Sequence, residues 1–210
     1  MGRVPFDRLH TVRLAHESQT GYTEVCREPD GTLLVRLRIR SAACQRELLS
    51  GLDESVPVRL ESGVLELLLP CQKGISLRQW LYEQKPTLAQ RRDACLSLLE
   101  QQVEGKVPPC LIALSANTEN LIVTSRSMSL QYLPELRRWE PDMEDAQAVC
   151  AVAAVISEVL SEKVGPWRNR RISEELLLLN IRQKEQDYTS WGQLQRDVTA
   201  IPDTPPRRSS

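Results

Sequence analysis

The sequence predicts an α+β chain, with a small antiparallel sheet first and a mainly helical part after it. Three observations carry that prediction. Between residues 22 and 40 apolar and charged residues alternate on either side of a Pro-Asp-Gly turn. At Thr87 and again at Ser190 a hydroxyl residue stands three places before Gln, the pattern that starts a helix. From residue 145 to 160 the chain is apolar on nearly every side, as a helix buried in a helical layer is.

The elements follow in order. Leu9, Val12 and Leu14 are spaced for a first strand. Tyr22-Thr23-Glu24-Val25-Cys26-Arg27 and Leu33-Leu34-Val35-Arg36-Leu37-Arg38-Ile39-Arg40 flank Pro29-Asp30-Gly31-Thr32, where Pro fixes φ and Gly tolerates a positive one, so a β-hairpin is expected. Alternation of Val35, Leu37 and Ile39 with Arg36, Arg38 and Arg40 gives its second strand one buried and one basic face. A short helix over residues 45–52 ends at Gly51, and strands over 56–60 and 64–69 meet at Glu61-Ser62-Gly63.

Pro70-Cys71-Gln72-Lys73-Gly74 breaks the pattern and marks a boundary between residues 1–72 and 73–201. Ser76-Leu77-Arg78-Gln79-Trp80-Leu81 opens a short helix. Thr87 and Gln90 cap a longer one, with Leu88, Ala94, Cys95, Leu98, Leu99 and Val103 at helical spacing and Gly105 as its stop. Residues 111–114 form a short buried run into Ser115-Ala116-Asn117-Thr118-Glu119-Asn120-Leu121-Ile122-Val123-Thr124, a polar turn opening a short hairpin that returns through Met128-Ser129-Leu130. After the helix from residue 145, Ser173 caps residues 174–179, and Ser190 caps a last helix carrying Trp191, Leu194, Val198 and Ile201. Residues 202–210 are Pro-rich and polar and read as a disordered tail or linker.

Composition excludes several functions. Charged residues make up 26% of the 210, the net charge is -1 and the Arg residues are scattered, so no basic face is concentrated enough to hold nucleic acid. No apolar run approaches the ~20 residues of a spanning helix, Met1-Gly2-Arg3-Val4-Pro5 lacks a signal-peptide core, and the residues after Gly2 lack the Ser or Thr of a myristoylation signal. A soluble, cytoplasmic chain with no membrane segment is expected. The six cysteines stand apart with no C-x-x-C, and His10 and His16 are the two histidines, which gives zinc no support and leaves the thiols as core residues in a reducing compartment. No G-x-S-x-G elbow surrounds Ser115. Asp142, Glu144 and Asp145 suit a helix start, with weak cation binding as the alternative.

The turn and hairpin from Ser115 to Leu130 resemble the catalytic loop of the protein kinases, H-R-D-L-x-x-x-N leading into an apolar strand. Glu119-Asn120-Leu121-Ile122-Val123 matches the end of that loop, with Asn120 at the metal-binding Asn. Ser115 then occupies the position of the catalytic Asp and Ala113-Leu114 that of His-Arg. Serine cannot accept a hydroxyl proton near neutral pH as a carboxylate can. The D-F-G segment falls near Gln131-Tyr132-Leu133-Pro134, with no Asp between Asp93 and Asp142. The same resemblance sets Arg38 at the strand Lys and Glu47 at its helix partner, implying an ion pair with altered phosphate geometry. Where a Gly-rich loop belongs, around residues 16–21, only Gly21 is present. Residues 134–142 are too few for an activation segment. Asp145 matches the Asp of the central C-lobe helix, and Asp187-Tyr188-Thr189 stands where the family carries an Arg before its last helix.

The resemblance implies a bilobal, protein-kinase-like fold with a β-rich N-lobe over 1–72 and a reduced helical C-lobe over 73–201. It implies a pseudokinase: no enzyme, no cofactor, no metal, and a scaffold that works by binding another protein, with self-association left open. The reduced C-lobe and the loop are also similar to the cytosolic pseudokinase domain of the bacterial type VII secretion membrane subunit, where a membrane helix follows the domain. Trp139 and Trp167, beside Arg137, Arg138 and Arg170, either close a core or present indoles for a protein interface. The alternative function is a divergent, active ATP-dependent phosphotransferase drawing its carboxylates from Asp142, Glu144 or Asp145.

Overall fold

The computed structural model describes residues 6–105, 107–125, 127–161 and 170–202, without the side chains of 170–173. Along the chain its elements are β1 (His10–Glu17), β2 (Gly21–Arg27), β3 (Leu33–Ile39), α1 (Ala42–Gly51), β4 (Val58–Glu61), β5 (Val64–Pro70), β6 (Ile75–Ser76) and α2 (Leu77–Gln79). There follow α3 (Leu88–Glu104), α4 (Pro109–Ser115), β7 (Leu121–Val123), β8 (Met128–Leu130), α5 (Asp145–Ser161), α6 (Arg170–Glu185) and α7 (Trp191–Ala200). The chain is thus mixed α+β, with a five-stranded antiparallel sheet. It divides into two compact units: residues 1–72, 106–115 and 131–144 in the first, and 73–105, 116–130 and 145–210 in the second. Segments 106–115 and 131–144, which the sequence reading groups with the helical part, cluster with the sheet.

In the first unit the strand order is β1-β2-β3-β5-β4. The β2–β3 turn closes as its residues dictate, with Gly31 at φ 92° and the Glu28 N–H donating to the Thr32 carbonyl at 2.8 Å. Alternation decides the faces. Val35, Leu37 and Ile39 of β3 and Leu65, Leu67 and Leu69 of β5 turn to one side, where Cys44 and Leu48 of α1 and Cys110, Leu111 and Leu114 of α4 complete a core. Helix α1 begins at Ala42, earlier than the expected 45, because Ser41 caps it by accepting from the Cys44 N–H. Residues 111–114 are the body of α4, a helix the short apolar run did not disclose.

The other sheet face is charged, yet it is not the open basic face that Arg36 and Arg38 suggest. Register sets Arg36 opposite Glu24, and both Arg38 and Arg59 opposite Glu66. Arg36 lies 2.6 Å from Glu24, Arg38 2.7 Å and Arg59 2.5 Å from Glu66, and Arg59 continues to Asp7 at 2.5 Å. The Glu66 side chain is 2% exposed and that of Glu24 5%, burial a carboxylate tolerates only when paired.

In the second unit β6, β7 and β8 form a small antiparallel sheet. Ser76 caps α2, which runs on into a π-helical turn, Trp80–Gln84, ended by Lys85 at φ 48°. Thr87 and Gln90 form the expected capping box of α3. The apolar helix α5 buries Ala148, Val149, Val152, Ala153, Ile156 and Leu160. Helix α6 starts at Arg170, so Ser173 lies inside it and not at its cap. Arg182 of α6 pairs with Asp197 of α7 at 2.7 Å, and Asp197 also accepts from the buried Tyr188 hydroxyl at 2.8 Å. No helix among the described residues is long and apolar enough to cross a membrane.

Candidate functional site

The loop singled out by its sequence is built from local capping. Helix α4 runs to Ser115, which is fully buried in the first unit. In the second unit Asn117 caps a 3-10 turn, Thr118–Asn120, its side chain accepting from the Asn120 N–H at 2.9 Å, and β7 follows directly. Asn120 is 5% exposed, in a turn packed on α2 and α5. Both positions are therefore interior ones. Among the described residues no three His, Cys, Asp or Glu side chains converge as metal ligands.

Arg38 and Glu47 do not meet. Arg38 alternates with Leu37 and Ile39, so it projects from the sheet face opposite the one that α1 covers, and Glu66 takes it. Its guanidinium also donates to the Tyr22 hydroxyl. The Arg38–Glu47 ion pair that the resemblance implies is replaced by two separate arrangements. Glu47 accepts from the Trp139 indole N–H at 3.1 Å, from the Asp142 N–H at 3.3 Å and from the Met143 N–H at 3.2 Å.

This carboxylate anchors the end of a segment that closes the inner face of the sheet. Gln131 starts it, accepting from the Gln72 N–H at 2.6 Å. Tyr132 packs half-buried against the core, and Leu133 and Leu136 enter it. The buried Thr23 hydroxyl of β2 donates to the Pro134 carbonyl at 2.9 Å, and the Glu135 N–H donates to the Leu114 carbonyl at 3.0 Å. Trp139, half-buried against the same core, closes it; the indole is a structural donor, not an open surface.

The remaining sequence candidates are dispersed. Arg137 and Arg138 are exposed, and Arg137 pairs with Glu135 at 3.0 Å. Trp167 lies outside the described residues, as does the side chain of Arg170. Asp142 and Glu144 in the first unit and Asp145 in the second are each exposed, with Asp142 left-handed at φ 59°. Gly21 has a packing role: a Cβ there would overlap the Arg38 carbonyl oxygen on β3. Burial pushes the thiols of Cys44 and Cys110 up to about 12, so beside Glu47 they are poor nucleophiles at neutral pH.

In the second unit a cavity of about 500 Å³ is lined by Trp80, Gln84, Gln90, Asp93, Val123 and Thr124 among others. Its carboxylate, Asp93, is exposed and paired with Arg92 at 2.9 Å, so no convergent charged set lines it.

Two sets of residues escaped the sequence reading. Glu66 had a signal, a lone carboxylate at the alternate position of Leu65-Glu66-Leu67, in register with an Arg-bearing strand. The Arg182, Asp197 and Tyr188 arrangement had none, since two of its three members lie in helix patterns typical of solvated faces. No protein-family model matches the chain, and no curated protein matches it.

Proposed function

We propose that the chain is a kinase-like domain without phosphoryl-transfer chemistry, a pseudokinase that serves as a protein-binding scaffold. In this reading the sheet unit stands for the N-lobe and the helical unit for a reduced C-lobe. One observation carries it. Phosphoryl transfer in kinases needs the strand cation and the helix carboxylate as a pair, and here Arg38 is held by Glu66 on one sheet face while Glu47 is held by Trp139, Asp142 and Met143 on the other. Two further features support it. The turn between β1 and β2 is Ser18-Gln19-Thr20, with no glycine to form a phosphate cradle, and the inner face of the sheet is filled by Leu133, Leu136 and Trp139.

The test is a thermal titration with ATP or ADP and Mg²⁺. A ligand at a hundredfold excess over its Kd stabilises by about 2.7 kcal/mol, which in a chain of this size raises Tm by roughly 5–10 °C. An unchanged Tm and no transfer of labelled phosphate are the expected results; a saturable rise overturns the proposal. The narrower reading, a cytosolic part of a bacterial secretion machine, rests on the same resemblance. In-cell cross-linking should then join the chain to a membrane component of such a machine, and cross-links confined to unrelated soluble proteins reject it.

A further inference from the structure

Helix α6 presents one face that is exposed among the described residues of its own unit. Leu176 and Leu179 are buried and Arg182 reaches Asp197, which fixes the inward side. On the outward side Leu177 is 58% exposed, Leu178 50% and Ile181 40%, with exposed Glu174 one turn before them and exposed Lys184 one turn after. Glu174, Leu177, Ile181 and Lys184 are spaced three, four and three apart, the spacing of a coiled-coil seam. Solvent-facing helix surfaces are ordinarily polar, and this one is apolar at its centre.

The order of these four residues names an occupant. When two copies of a helix pair antiparallel about a two-fold axis, residue i meets residue j wherever i plus j is constant. Leu177 with Ile181 and Glu174 with Lys184 share one midpoint, at residue 179. A single axis therefore sets Leu177 against the partner's Ile181 twice, and flanks those layers with Glu174 against the partner's Lys184 twice. Parallel pairing would instead set Glu174 against Glu174 and Lys184 against Lys184.

We infer that α6 is a self-association surface on which a second copy of this chain docks antiparallel, centred on residue 179. The seam spans eleven residues, about 16 Å of helix. An interface of that size is small, so the dimer is weak and concentration-dependent. The inference is independent of the proposed pseudokinase function, since nucleotide binding neither requires nor excludes it.

Sedimentation velocity of the full chain over a concentration series tests it, with thermal melts to confirm that each exposed substitution leaves folding intact. Wild type should pass from monomer to dimer as concentration rises, and Leu177→Glu should remain monomeric. Glu174→Lys alone and Lys184→Glu alone each put like charges in both outer layers and should weaken dimerisation by about tenfold or more at low salt. The double variant Glu174→Lys with Lys184→Glu should restore wild-type association, a recovery that general surface stickiness would not produce. A wild-type chain that stays monomeric at every concentration overturns the inference. So does a dimer indifferent to Leu177→Glu, or a double variant no better than either single one.

Discussion

Replacing Glu47 with Ala removes the acceptor of three hydrogen bonds at once. The Trp139 indole N–H is half-buried and donates to this carboxylate, so losing it carries most of a desolvation penalty of about 1–3 kcal/mol. The Asp142 N–H is exposed, where water replaces the carboxylate, and it and the part-buried Met143 N–H add roughly 0.5–1 kcal/mol each. The expected loss is therefore about 2–5 kcal/mol, or roughly 4–20 °C in Tm for a chain of this length. Urea unfolding followed by Trp fluorescence measures it. Glu47→Gln, which keeps one acceptor oxygen, should fall between wild type and Ala. Local opening should also expose the chain at Arg137 and Arg138, both already on the surface, so trypsin should cut there faster in the variant under native conditions. Stability within about 0.5 kcal/mol of wild type and an unchanged cleavage rate would refute the idea that this carboxylate anchors the segment.

Three further outcomes are expected. Gly21→Ala should destabilise by about 1–3 kcal/mol or more in the same unfolding assay, because its Cβ must displace the β3 backbone; no loss would mean that the strands are free to part there. Glu66→Gln should cost about 3 kcal/mol, since it removes the charge that Arg38 and Arg59 share, and the cost should shrink when Arg59→Ala is made with it. In base, Cys44, Cys95 and Cys110 are raised by burial from 9.0 to about 12, and Tyr188 is raised by burial and by its bond to Asp197. Groups with raised folded values keep their full contribution below the unfolded value and lose it as pH climbs past it. Stability should fall above pH 9.0 by up to about 1.4 kcal/mol per pH unit for each thiol; a urea midpoint flat to about pH 10.5 would contradict this.

What could be read in the sequence was short in range. The β2–β3 hairpin is written in residues 22 to 40, and the α3 cap in the four residues from Thr87 to Gln90. Glu47 and Trp139 are 92 positions apart, and nothing near either one names the other. Arg38 was legible but misassigned: resemblance paired it with Glu47, although alternation with Leu37 and Ile39 already turned it to the opposite face. The π-helical turn after α2 and the start of α6 ahead of Ser173 depend on packing that no local pattern encodes. Trp139 looked the same in sequence whether it closed a core or met a partner.

The chain leaves the sheet unit at residue 72 and completes it only with residues 106–115 and 131–144. On the ribosome, the apolar side of β3 and β5 emerges before Cys110, Leu111, Leu114, Leu133 and Leu136 exist to cover it. The 72 residues from 73 to 144 take about 4–14 s to synthesise at roughly 5–20 residues per second, long compared with the collapse of a small chain. For that interval the uncovered apolar face is expected to attract holdase chaperones and to favour edge-to-edge pairing between nascent chains on neighbouring ribosomes. Slowing translation downstream of residue 72 should lower the yield of folded protein more than slowing it after residue 144.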